Sequence, residues 1–209
     1  MKAREANLVC WDFEGCGKCP LQVAVASMKA LEIKPEFFSN LYAPPDLEIP
    51  AMSPASRLDV RALSHAPRLP ELWPQLHAFF QGGSFVSHNF GSERKYLSAL
   101  ALHLPPQWID TLKVIRYLYA SLPNYQLGNL LQNFDLYSEA KRLALQHSSG
   151  AAEEHNPIFD ACGSLLLLRM VLQQKGWEDV TVEDLSKVRP REYYQRRPRP
   201  FQHRQRQLF

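Results

Sequence analysis

Residues 7–15 read NLVCWDFEG, an apolar run that ends abruptly in two acids. Its length and its Leu, Val, Cys, Trp and Phe content predict a strand buried on both faces. Side chains two apart on a strand share a face, so Asp12 and Glu14 point the same way at the strand's mouth. Neighbouring carboxylates in such a place repel each other and lose hydration. A hard divalent cation, which takes oxygen ligands, would relieve both costs. The blander alternative is a strand that stops at Phe13 and leaves both acids in solvent.

Working outward, LQVAVASMK at 21–29 and FFSNLY at 37–42 read as neighbouring strands. Helical spacing follows over about 57–64 and 70–81, then a short strand, SFVSH, at 84–88. A helix over about 90–103, a strand WID at 108–110, and helices over about 111–120 and 125–134 come next. A short helix and a loop share residues 138–156, and a strongly apolar helix covers about 158–174. Three strands, then alternating helices and strands, then helices define an α/β chain. It is expected to form one domain over residues 1–188, followed by a tail at 189–209.

With 45% hydrophobic and 22% charged residues in 209, the composition is that of a soluble globular protein. No apolar run approaches the roughly 18–20 residues that span a bilayer. The N-terminus lacks a signal-peptide layout, so a cytoplasmic location and no membrane partner are expected. Cys10 and Cys162 read as small core residues. Cys16 and Cys19 form a C-x-x-C that has no second Cys/His pair to complete a zinc site, so they read as loop cysteines.

Two further acids break apolar stripes. From Phe90 the inward face of a helix runs Phe90, Glu93, Leu97, Leu100 and Leu104, with Glu93 its only charge. A solvated first-turn glutamate, favourable to the helix dipole, is the alternative. Asn156-Pro157 is a good helix start, Asn as N-cap and Pro at the first position, which puts Asp160 in the first turn. His155 precedes that helix at the end of the loop HSSGAAEE. An imidazole beside a carboxylate suits proton transfer near neutral pH.

Together these stretches resemble the DEDDh exonucleases, the DnaQ-like family. CWDFEG resembles the family's first motif, with Asp12 and Glu14. FVSHNFGSE resembles the second, with Glu93 where the family usually has Asp. HNPIFDA resembles the third, with His155 and Asp160. IDTLKVIRYLY and YQLGNLLQNFDL resemble intervening segments, so the likeness covers about residues 7–175. It implies a ribonuclease-H-like fold, a central mixed sheet flanked by helices. It also implies a metal-dependent 3′→5′ exonuclease releasing nucleoside 5′-monophosphates from nucleic-acid 3′ ends, single-stranded DNA favoured. Asp12, Glu14, Glu93 and Asp160 would hold two Mg²⁺ or Mn²⁺ ions, and His155 would be the general base. Gly15 and Cys16 would line the terminal-nucleotide pocket. His88 and Asn89 match the family's H-N pair and read as structural or supporting groups, and Phe90 would pack near that pocket.

The tail carries seven Arg and one Glu, a net of +6, against +3 for the whole chain, so residues 1–188 sum to −3. Arg with interleaved Tyr and Phe fits contact with phosphates and unpaired bases, and equally a solubilising end. The last five residues resemble the Q-x-x-L-F peptide that docks on the bacterial sliding clamp, through Gln205, Leu208 and Phe209. Competing readings are a ribonuclease or oligoribonuclease trimming RNA 3′ ends, and a nucleic-acid- or clamp-binding module with a weakened site.

Overall fold

The structure, a computed structural model, describes residues 1–50, 58–59, 61–81, 83–100, 107–147 and 153–188. The tail, with Gln205, Leu208 and Phe209, lies outside them, as does Leu104 of the apolar stripe.

Five strands form one mixed sheet: β1 (Leu8–Cys16), β2 (Cys19–Lys29), β3 (Glu32–Asn40), β4 (Ser84–Ser87) and β5 (Trp108–Asp110). Their order across the sheet is β3-β2-β1-β4-β5. The first three pair antiparallel, while β1 with β4 and β4 with β5 pair parallel. The helices are α1 (Trp73–Phe80), α2 (Gly91–Leu100), α3 (Thr111–Leu118), α4 (Leu127–Asn133), α5 (Tyr137–Ala144), α6 (Pro157–Gln173) and α7 (Val182–Ser186). No helix among the described residues is long and apolar enough to cross a membrane.

Strand periodicity divides the core into two layers. Val9, Trp11 and Phe13 pack with Leu76, Leu97 and Phe85 under α1 and α2. Leu8 and Cys10 face the other way, into a larger cluster with Phe159, Cys162 and Leu166 of α6. Helix α6 is buried on nearly every side and lies against β1, β2 and β3. Six of its residues, Leu165 to Leu168 with Val171 and Leu172, are essentially inaccessible. At about 1.5–3 kcal/mol each, they contribute on the order of 10 kcal/mol. That is enough to hold a charged first turn in an unfavourable place.

Four elements differ from the sequence reading. Strand β3 starts at Glu32 rather than 37, because its exposed acids and Lys34 alternate with buried Ile33 and Pro35. Ala26 pairs with Pro35 and Val25 with Phe37, so Glu36 is an extra residue that bulges this edge strand. Among the described residues the pattern near 57–64 yields a 3₁₀ turn at Ala62–His65, and 70–81 splits into a 3₁₀ turn at Leu69–Leu72 and α1. Helix α7 was not expected; it is anchored by the chain's start, where Ala3 N–H donates to Val180 O at 2.8 Å.

Cys16 and Cys19 are cross-strand partners flanking the β1–β2 turn, and Gly17 takes φ +58° there. The register shifts between Glu14 and Gly15. A Cβ on Gly15 would lie 2.5 Å from Cys19 O, 2.9 Å from the Tyr96 hydroxyl and 3.0 Å from Pro20 Cα. Two of those atoms are backbone and cannot swing away. Gly15→Ala should therefore cost about 1–3 kcal/mol, seen as a fall of several degrees in Tm. An unchanged melting curve would contradict the close approach.

Candidate active site

The pairing of β1 with β4 stops at Cys10 opposite Val86, whereas β1 continues to Cys16 alongside β2. A notch therefore opens at the carboxyl ends of the parallel strands, beside the strand from which the sheet grows both ways. In open α/β sheets this is where ligands bind. Asp12 and Glu14 continue the face of Leu8 and Cys10 into that notch, towards α6.

Helix α6 begins as the sequence predicts, with Asn156 Oδ1 accepting from Ile158 N–H at 3.1 Å and Pro157 in the first turn. Asp160 Oδ2 accepts from the His155 N–H at 3.1 Å, and Ser164 Oγ donates to Asp160 O at 2.8 Å. His155 Nδ1 lies 3.7 Å from Glu14 Oε1. One donor atom each from Glu14, His155 and Asp160 falls within 4.8 Å of the other two. His155 has φ +64°. For a residue with a Cβ this backbone costs roughly 1–2 kcal/mol, so its surroundings must hold it there.

Glu93, in the first turn of α2, is 6% exposed. The sequence left open whether it faces solvent; it faces inward. Its Oε2 is buried without a hydrogen-bond partner. Burial first, then the Glu14 and Asp110 carboxylates, push Glu93 up to about 7, against its own backbone N–H. Asp12 is held well above the usual carboxylate range by burial, then by Asp160, Glu93 and Glu14. Asp160 is also well above it, through burial and then Glu14, although the His155 N–H pulls the other way. Four carboxylates from three elements thus lie in one another's fields. An orphaned oxygen and all-oxygen donors beside one imidazole fit a hard divalent cation.

Asp110 is a fifth buried acid with a structural task. It caps α3: Oδ1 accepts from the N–H groups of Leu112 (3.1 Å) and Lys113 (3.4 Å), and also from Asn89 N–H at 3.1 Å. Asn89 takes φ +66° in the turn between β4 and α2. His88 spans the same region, with Nδ1 2.9 Å from Thr111 Oγ1 and Nε2 2.9 Å from Tyr125 O. A carbonyl can only accept, so Nε2 carries the proton, and burial lowers the His88 pKa. Phe90 packs on Trp108 with ring centroids 5.4 Å apart, under the Lys113 ammonium. Gly15 and Cys16 follow Glu14 at the end of β1, where the chain turns into β2.

Beside the acids is an open cavity of about 420 Å³, whose lining includes Arg116, Tyr125, Gln126, Gly128, His155 and Asp160. Arg116 lies over the Tyr125 ring, its Cζ 5.0 Å from the centroid. The sequence reading did not assign a role to Arg116, Gly128 or Glu154, because nothing in their local spacing brings them to this notch.

No protein-family model matches the chain. A curated relative, the PolC-type DNA polymerase III of Caldanaerobacter subterraneus subsp. tengcongensis, is 26% identical over 160 residues. The match takes in 71% of this chain and 11% of that protein, so the chain spans about a tenth of its relative's length. Among solved structures, exonuclease X in complex with 5′ overhanging duplex DNA superposes with a TM-score of 0.65 at 21% identity, covering 87% of this chain and 98% of that one. A 3′-exonuclease recognising a histone mRNA stem-loop gives 0.57 at 14% identity, over 81% of this chain and 82% of that one. S. pombe Pop2p in its Mg²⁺- and Mn²⁺-bound form gives 0.57 at 12% identity, over 88% and 89%. The superpositions establish the ribonuclease-H-like fold, and the polymerase match adds a likeness in sequence to part of one replicative enzyme.

Proposed function

We propose that this chain is a metal-dependent 3′→5′ exonuclease that hydrolyses the 3′-terminal phosphodiester of single-stranded nucleic acid, DNA favoured, releasing nucleoside 5′-monophosphates. The supporting observation is the convergence of Asp12, Glu14, Glu93 and Asp160 on one notch, with His155 Nδ1 3.7 Å from Glu14 Oε1. An arrangement that raises the pKa of its own acids is costly unless a bound cation offsets it. The relatives add weight, since two of the similar structures hold or recognise nucleic acid and a third holds Mg²⁺ and Mn²⁺. Residues 1–188 would be the exonuclease domain and 189–209 a basic tail.

Asp12, Glu14, Glu93 and Asp160 would hold two Mg²⁺ or Mn²⁺ ions. Such ions, when bound, neutralise charge on the scissile phosphate and make water a better nucleophile. His155 accepts the proton of the attacking water at Nδ1, and the Glu14 carboxylate stabilises the resulting imidazolium. Gly15 and Cys16 present backbone to the terminal nucleotide. His88 and Asn89 fix the turn that carries Phe90 and Glu93 through their bonds to Tyr125, Thr111 and Asp110. The water attacks phosphorus, the bond to the 3′ oxygen breaks, and that oxygen takes a proton from solvent, so the shortened strand leaves with a 3′ hydroxyl.

The test is direct. Purified protein is incubated with 5′-labelled single-stranded DNA, duplex DNA and RNA, with Mg²⁺, Mn²⁺ or EDTA. A ladder shortening from the 3′ end, abolished by EDTA and fastest on single-stranded DNA, is expected. Preference for RNA would move the reading to an exoribonuclease, and no ladder on any substrate would leave a binding module. Docking on a sliding clamp through Gln205, Leu208 and Phe209 is a separate proposal, which unchanged clamp binding after deletion of Phe209 would refute.

A further inference from the structure

The loop that carries His155 is seated on α4 through Glu154. The Glu154 carboxylate lies directly against Gly128, so that a Cβ there would collide with its Cδ and both oxygens. Gly128 is buried in the first turn of α4, a helix with no side-chain cap of its own and no acid in that turn. The same short segment is tied by Tyr137, which bonds the Glu154 backbone, and by the exposed Lys141–Glu153 pair at 3.6 Å. One residue on, His155 takes its left-handed backbone and gives its N–H to Asp160.

We propose that Glu154 is a positioning residue: its carboxylate, docked on the bare Cα of Gly128, holds the 153–156 turn so that the His155 ring faces Glu14 and Asp160. An unfavourable backbone persists only where neighbours over-determine it. Here the two constraints stand on either side of His155, Glu154 on α4 and the bond to Asp160 on α6. Gly128 also lines the cavity beside the acids, so the seat joins the histidine to one wall of that cavity. The kinetic half of this inference rests on the exonuclease reading.

Three variants test it. Glu154→Ala removes the dock, Gly128→Ala fills the seat, and Glu154→Gln keeps the shape without the charge. Displacing a proton-transfer group by about 1 Å can cost on the order of 100-fold. Glu154→Ala and Gly128→Ala should therefore each lower kcat by roughly 10- to 100-fold with KM nearly unchanged. Glu154→Gln should restore part of it. The double variant should be no worse than either single one, since both break the same contact. In a His155→Ala background neither substitution should cost anything further, which a general loosening of the fold would not reproduce. Unchanged kcat in Glu154→Ala, or losses that persist without His155, would overturn the proposal. Should the wild-type protein degrade no nucleic acid, the exonuclease reading fails on its own. The dock is then decided by hydrogen exchange of the His155 amide: faster exchange in Glu154→Ala sustains it, and unchanged exchange refutes it.

Discussion

Asp12→Asn should abolish nuclease activity by about three orders of magnitude or more, the loss of several kcal/mol of charge stabilisation, and yet raise the Tm of the metal-free protein. The substitution keeps the shape of the side chain and removes its charge. In wild type, burial and then Asp160, Glu93 and Glu14 all oppose that charge. Relief of the repulsion and of the burial cost should therefore appear as a measurable rise in Tm. The same physics sets a pH dependence. Glu93 is raised from 4.5 to about 7 in the folded protein, so the folded state binds its proton more tightly than the unfolded state does. Metal-free wild type should lose the Glu93 contribution as pH rises from about 4.5 to about 7, and Asp12 and Asp160, raised in the same direction, should add to the decline. In Asp12→Asn the decline should be shallower. Saturating Mg²⁺ or Mn²⁺ should raise the wild-type Tm, because a ligand bound only by the folded state stabilises it, and should do less for the variant. Thermal melts across pH, with EDTA or metal, check every part. A variant that lost activity and metal-free stability together would be misfolded, and the account of the acid cluster would fall.

His155→Ala should lower kcat by about 10²- to 10⁴-fold, the usual contribution of a positioned general base, with little change in KM. The geometry admits a rival role, because His155 groups with Glu14 and Asp160 as a possible metal ligand. Metal titration separates the two. A lost base leaves the defect in place at any Mn²⁺ concentration, while a lost ligand shifts the half-saturating concentration upward and is rescued by excess. Activity restored by metal would reassign His155 from proton transfer to ligation.

How much of this was written locally in the chain differs from residue to residue. Asp12 and Glu14 follow from strand period alone, and Asn156-Pro157 announces both the start of α6 and the place of Asp160. The α/β class followed from the order of patterns, and the mixed sheet from the family resemblance. Strand β3 was cut short because Glu32, Lys34 and Glu36 look like a charged loop until the buried residues between them are counted. Glu93 was ambiguous, since a first-turn glutamate serves a helix equally well in water, and only packing against β1 decides. The contact of Glu154 with Gly128 lies 26 positions apart in the chain, between a loop and a helix start. Neither residue signals the other, so that contact emerges only from the tertiary structure. Asp110 shows the reverse hazard: it is buried and acidic near the site, but its Oδ1 is occupied in capping α3 and holding Asn89.

The bulged outer strand β3 has a consequence beyond the site. A sheet edge offers unpaired N–H and C=O groups to any passing strand, and is a common seed of fibrous aggregation. Here Pro35 lacks a donor, Glu36 breaks the repeat, and Glu32, Lys34 and Glu36 bristle along the rim. A border built this way resists pairing with the same border of a second copy, so the sheet ends where the chain ends it.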